Sequence, residues 1–389
     1  MIKYGLDIGS CSLRILGGDF SGEGFKPLGR ISIPVKGYSE GTIIDKRKLL
    51  YTVLEAVNQF QVKYDKRPSS FVLGISTPQL SYVKFRKKFI RKNADSVITD
   101  REVLEYQREL LDEMVPLDRK EIYYEVEEFI LDGQRGIINP QGLYASNIEM
   151  IVNGITIPLN LYNNILSLFS ELGLEIEDLV PEAIAQSYIY LSSEEKKSGI
   201  MFINYGWGTV KVAIFKNGFL KYYKHFPSNL SSILDLVGEI YHFDGCSTLE
   251  ILREIFLSET SRFKFQNKFA VQTVSIHDVK TLLNKNIYRL FYQLRKHLED
   301  HEVPLHFKQG IKISGGIITD YSELKSIAED VFHQPVVITD SQHLGIDSEY
   351  VTALGLIKHQ TDKEKARFQS KNLLSRLVGK MFELVDKYF

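Results

Sequence analysis

Three glycine-containing turns hold the residues in this chain best suited to chemistry. The first is Asp7-Ile8-Gly9-Ser10-Cys11-Ser12, the second Asn204-Tyr205-Gly206-Trp207-Gly208-Thr209, and the third Gly315-Gly316. Each follows a short apolar run that reads as a strand. A turn without side chains exposes backbone N–H groups in a concave array, and such an array takes phosphate oxygens. Two of these facing each other across a cleft would clamp the phosphates of a nucleotide, with Asp7 placed to hold Mg²⁺ through water. Taken singly, each turn reads as readily as an ordinary hairpin. Three in this order favour a nucleotide cleft.

The elements around the turns follow one plan, used twice. After Gly9–Ser12 a second strand runs over Leu13–Leu16, and after Gly208 another runs over Thr209–Phe215. Asn217-Gly218 then signals a type I′ hairpin into Phe219–His225. Gly315-Gly316 leads into an amphipathic helix expected over Asp320–Phe332. Leu49, Leu50, Val53, Leu54, Val57 and Phe60 fall at helical spacing over Lys46–Tyr64. Leu159–Glu171 and Pro181–Leu191 read the same way, with Pro181 in a first helical turn. Strands alternating with helices in both halves indicate α/β domains. Tyr82–Asn153 breaks the alternation and reads as an inserted α+β module, and Tyr241–His306 as a mostly helical insertion.

Composition fits a folded multi-domain protein. Of 389 residues, 44% are hydrophobic and 25% charged, and the formal net charge of -1 argues against a general nucleic-acid binder. The two cysteines, Cys11 and Cys246, exclude a disulfide framework and point to a reducing cytosol. Lys3, Asp7 and Arg14 interrupt any apolar core at the start, so no cleavable signal peptide is expected. The longest uncharged run, Met150–Ser170, is too rich in Asn to span a membrane.

Other clusters have plainer explanations. His297, His301 and His306 suggest a metal, but a solvated helix end accounts for them equally. KFRKKFIRK, over Lys84–Lys92, reads as an edge strand protected by charge, with an acidic partner surface as the alternative. Cys11 has no evident base beside it, so it is not expected to act as a nucleophile. Glu102, Glu105, Glu109 and Glu113 mark a solvent face opposite Leu104 and Leu111.

The order and wording of seven segments resemble the actin-like ATPase superfamily, and within it the FtsA family of bacterial cell-division proteins. YGLDIGSCSLRI and INYGWGTVKVAIF are similar to its two phosphate loops, and KISGGIITDYSELKSIAEDVFHQPVVIT to its adenosine motif. GLEIEDLVPEAIAQSYIYLSSEEKKSGI, YVTALGLIKH, KGYSEGTIIDKRKLL and INPQGLYASNIEMIV match further stretches; Ser228–Pro304 matches least. The resemblance implies a two-lobed actin-like (ribonuclease H-like) α/β fold. Residues 1–79 and 157–195 would form the first lobe, 80–156 an inserted subdomain, and 196–240 with 307–358 the second lobe. A helical subdomain would occupy 241–306, a linker 359–371 and an amphipathic helix 372–389. Nucleotide contacts would come from Asp7, Gly9, Ser10, Cys11, Ser12, Asn204, Gly206, Trp207, Gly208, Thr209, Gly315 and Gly316. Glu250 and Arg253 match the family's adenosine-contacting Glu-x-x-Lys. ATP and Mg²⁺ are the implied ligands.

The implied partners are the C-terminal peptide of the tubulin-like protein FtsZ, further copies of the chain, other division proteins and the inner face of the cytoplasmic membrane, with no nucleic acid. The membrane contact falls to the last segment. On a helical wheel Leu373, Leu374, Leu377, Val378, Met381, Phe382, Leu384, Val385, Tyr388 and Phe389 fill one arc, with Arg376, Lys380 and Lys387 on the other. Three departures stand out. Relatives carry Asp at Asn204, a small residue at Trp207 and Lys at Ser12, and these losses predict ATP binding with little or no hydrolysis. A PilM-like pilus platform, or an active sugar kinase or chaperone-type ATPase, are the rival readings on the same fold.

Overall fold

A computed structural model describes residues 2–21, 24–39, 41–228, 230, 239, 262–266, 271–339 and 345–365. Two five-stranded sheets form its two lobes. In the first, the order is Glu175–Pro181, Ser70–Ile75, Lys3–Ile8, Ser12–Ser21, Gly24–Pro34. In the second it is Val336–Ile338, Ile311–Gly315, Ile200–Tyr205, Thr209–Lys216, Phe219–Pro227. The order is the same in both: an antiparallel three-strand meander whose first strand pairs in parallel with a later strand, which pairs in parallel in turn with one later still. The repeated hairpin grammar of the sequence thus extends to whole sheets.

Local signals set the elements. Asp45 caps the helix Lys46–Tyr64 by accepting from the Lys48 N–H, and the helix buries Leu49, Val53, Val57 and Phe60 on the first sheet. Asn217 and Gly218 both have positive φ, 59° and 88°, as a type I′ turn requires. The third turn departs from expectation: Ile317–Asp320 is a 3₁₀ turn and the helix starts later, spanning Leu324–Phe332. Pro181 ends a strand, and the helix it precedes spans Glu182–Tyr190. A proline lacks the N–H that a helix interior needs, so it serves the junction from either side.

The inserted module is a four-stranded antiparallel sheet, ordered Ser81–Ile90, Asn147–Pro158, Arg119–Leu131, Gln134–Ile137, with the helix Asp100–Met114 packed on it. Its central strand, Asn147–Pro158, runs on into the first lobe, where Ile155 and Ile157 join the core. KFRKKFIRK lies on and just past the edge strand, and four of its six basic residues pair within the module. Lys84 pairs with Glu127, Arg86 with Glu149, Lys87 with Glu109 and Glu113, and the buried Arg91 with Glu102. Glu102, Glu109 and Glu113 are therefore partners of that basic stretch, while Glu105 pairs along the helix with Arg101. Leu110 and Met114 carry its buried side, while Leu104 is exposed.

The lobes meet at two crossing helices, Glu182–Tyr190 and a helix over 351–365. A Cβ on Gly355 would strike the carbonyl of Ala185, and one on Gly5 the carbonyl of Ala353, so glycine is what lets the elements approach this closely. Gln186 ties the crossing, accepting from Ser314 Oγ at 2.6 Å and donating to Thr352 Oγ1 at 2.9 Å. The first part of the expected linker, 359–365, belongs to this helix. Its polar residues find partners across the chain: His359 and Lys363 reach Asp178, and Glu364 pairs with Lys3 at 2.5 Å. The amphipathic segment 372–389, with its membrane-facing residues, lies outside the described residues, as do Glu250 and Arg253.

His301 Nδ1 lies 2.8 Å from the His297 carbonyl, His306 is exposed, and no group of three or more His, Cys, Asp or Glu side chains among the described residues is arranged to ligate an ion.

Candidate functional site

A cleft of about 520 Å³ opens between the lobes, and all three glycine turns line it. Gly9, Ser10, Cys11 and Ser12 form one wall, with Asp7 at its base; Gly206, Trp207, Gly208 and Thr209 form the facing wall, with Asn204 at its base; Gly315 and Gly316 close one end. The two hairpin turns share a backbone. Gly9 N–H donates to the Ser12 carbonyl at 3.0 Å, and Gly206 N–H donates to the Thr209 carbonyl at 3.0 Å. A side chain on Gly315 would collide with the Tyr205 carbonyl, while the Cα of Gly316 faces open space. At the cleft floor Ser76 Oγ and Thr209 Oγ1 stand 3.4 Å apart and join the lobes. Trp207 packs partly against the core of the second lobe while still lining the cleft, so its indole is held between the two options that the sequence leaves open.

Sequence reasoning missed the charges on the floor. In antiparallel register Asp7 lies opposite Arg14, and Asn204 lies opposite Lys211. Arg14 Nη1 bonds Asp7 Oδ2 at 3.0 Å, and Lys211 Nζ bonds Asn204 Oδ1 at 3.3 Å. Lys211 also pairs with Glu182 at 3.0 Å, both side chains being under 9% exposed. The period-two rule for strands carried the signal. Arg14 shares a strand face with Ser12, and Lys211 shares one with Thr209, so a residue two beyond each turn points where the turn points.

Burial of Asp7, reinforced by the nearby Glu182 charge and opposed by Arg14 and Lys211, pushes its carboxyl up to about 7. Asp7 Oδ1 is buried and has no hydrogen-bond partner. Burial works against the Arg14 charge, but Asp7, Glu349 and Glu182 together push it upward, so its guanidinium stays charged. Further along the second sheet, His225, opposite Lys211, is driven well below its usual range by burial and by the lysine cations beside it. It stays neutral and adds no charge.

A phosphate chain suits this floor: the buried Lys211 and the partly buried Arg14 lie under the two glycine turns. A hydrated divalent cation does not. Asn204 Oδ1 and Glu182 are committed to an ammonium, Asp7 has one oxygen on a guanidinium, and its pKa leaves the other often protonated near neutral pH. At about 4 Å and an effective dielectric near 20, each pair of like unit charges costs roughly 4 kcal/mol.

Several known proteins resemble this chain. Residues 79–156 match the family model of the SHS2 domain inserted in FtsA. The chain is 24% identical over 382 residues to the cell division protein FtsA of Escherichia coli K12, covering 92% of this chain and 90% of that one. To FtsA of Bacillus subtilis 168 it is 20% identical, covering 95% and 85%. A match to FtsA of Pseudomonas aeruginosa, at 25% identity, spans about half of each chain, 56% and 52%. Among solved structures, a PilM–PilN type IV pilus biogenesis complex superposes with a TM-score of 0.64 at 14% identity, over 91% of this chain and 97% of that one. MreB5 of Spiroplasma citri bound to ADP gives 0.52 at 12%, over 95% and 98%. These structures share the actin-like fold; the inserted segment is similar to the SHS2 domain of FtsA, and the chain is similar over most of its length to FtsA proteins at 20–24% identity.

Proposed function

We propose that this protein is an actin-like cell-division scaffold that binds a nucleotide in the interlobe cleft, self-associates, and tethers an FtsZ ring to the inner face of the membrane. The observation that carries the reading is the SHS2 insert, folded as one module between the first-lobe strands Ser70–Ile75 and Glu175–Pro181. The PilM likeness, at 14% identity, speaks to fold alone. Nucleotide binding is supported by the paired glycine turns and the two cations beneath them; S. citri MreB5, of the same fold, holds ADP. Turnover is expected to be slow, because Asn204 stands where relatives carry a carboxylate and Lys211 is paired beside it.

No helix among the described residues is long and apolar enough to cross a membrane. Attachment is assigned to the amphipathic segment 372–389, from the apolar arc and basic face of its sequence, and its binding would be reversible for one copy and strong for an array. The test is flotation with anionic liposomes, together with co-sedimentation with FtsZ. The intact chain is expected to float and to recruit FtsZ. The chain truncated after Lys371 is expected to stay folded and not to float. Flotation of the truncated chain, or no recruitment of FtsZ by the intact one, contradicts the proposal.

A further inference from the structure

We propose that the cleft takes a nucleotide polyphosphate without a divalent metal ion, the Lys211 ammonium and the Arg14 guanidinium supplying the positive charge that a metal would otherwise bring. The inference rests on the nucleotide reading above and deepens it. Three observations converge on Lys211. It sits at the base of the second turn, so close that a Cβ on Gly206 would lie 2.8 Å from its Nζ. It is 5% exposed and so held in place by its surroundings. Its partners, Asn204 and Glu182, are two oxygen donors at the base of the cleft that it withdraws from a cation, leaving the carboxylates Asp320 and Glu349 nearer the rim.

Arg14 completes the arrangement from the first turn. Its Nη1 lies 3.4 Å from the position of a Cβ on Gly9, directly under the backbone that would cradle phosphate. Its Nε is buried without a hydrogen-bond partner, and the nearest carboxylate, Glu349, stands 3.5 Å away. A fixed cation under each turn gives a polyphosphate two anchors at the pseudo-twofold positions of the lobes. A divalent ion brought to the same floor would meet both cations. An ammonium carries no exchangeable water to orient against a phosphorus atom, which fits a site that holds nucleotide rather than cleaving it.

The experiment is isothermal titration of the full chain with ATP, once in excess EDTA and once in excess Mg²⁺. The expected result is two dissociation constants within about threefold of each other. Binding more than about tenfold weaker in EDTA overturns the inference and leaves the nucleotide reading standing. No binding in either buffer overturns both. To assign the charge to Lys211, Lys211→Met is combined with Glu182→Gln, so that no buried carboxylate is left unpaired. That double variant is expected to fold and to lose about tenfold or more in affinity in EDTA; unchanged affinity overturns the role of Lys211. If the double variant does not fold, the EDTA and Mg²⁺ titrations of the unmodified chain decide alone.

Discussion

The hairpin around Gly9 and the hairpin around Gly206 share a backbone hydrogen bond and a strand register, yet they carry different charges. In the first, a carboxylate faces a guanidinium across the strands; in the second, a carboxamide faces an ammonium. The second hairpin recovers its missing negative charge from a helix, through Glu182. A duplicated fold can therefore keep its turns while shifting a charge from one element to another. What the turns bind is set by such relocations as much as by the glycines.

The largest expected difference between the hairpins lies in the cost of removing each cation. Lys211→Met strands the buried Glu182 carboxylate and is expected to cost about 3–5 kcal/mol in urea unfolding. Arg14→Met is expected to cost distinctly less, about 1–2 kcal/mol, because Asp7 is already poised to take up a proton. Equal costs would mean that the two pairs are equivalent after all. Next in size are the glycines. A Cβ at Gly206 would lie 2.9 Å from the Thr209 carbonyl and 2.8 Å from Lys211 Nζ, whereas at Gly9 the nearest atoms are 3.3 and 3.4 Å away. Gly206→Ala is thus expected to lower stability by about 1–3 kcal/mol and Gly9→Ala by clearly less, as read by thermal melts.

The smallest effect is the pH dependence of ATP affinity, and it belongs to the first hairpin alone. The Asp7 carboxyl titrates near 7 in the folded protein and near 3.9 in an unfolded chain. The folded state thus binds one more proton between those values, and the Asp7 contribution to stability falls as pH rises through that window, then levels off above it. Protonating Asp7 also frees the Arg14 charge for an anion. ATP affinity is expected to rise a few-fold from pH 8 to pH 6, and this slope is expected to vanish in Asp7→Asn. A slope that survives the substitution would place the titrating group elsewhere.

Much of the fold was legible because it depends on local periodicity. The helices Lys46–Tyr64 and Leu159–Glu171 fall where apolar spacing puts them, and the three turns meet as their order implied. What sequence reading missed depends on contacts across elements. Lys211 and Glu182 are 29 positions apart in the chain and meet only because the helix Glu182–Tyr190 packs beneath the second sheet. Lys87 with Glu109 and Glu113, and Arg91 with Glu102, are strand-to-helix pairs that no single-element rule can expose. The helix over 351–365 outruns its apolar pattern because its polar residues pair with Asp178 and Lys3 from other strands.

The central claim, that the cleft between the two hairpins is a nucleotide site, is tested most directly by Trp207. It is the only tryptophan of the chain and stands in the wall of the cleft. Titration of the intact protein with ATP, followed by tryptophan fluorescence, is predicted to give a saturable change. A flat Trp207 signal up to millimolar ATP, with no heat of binding in the same range, would contradict the account.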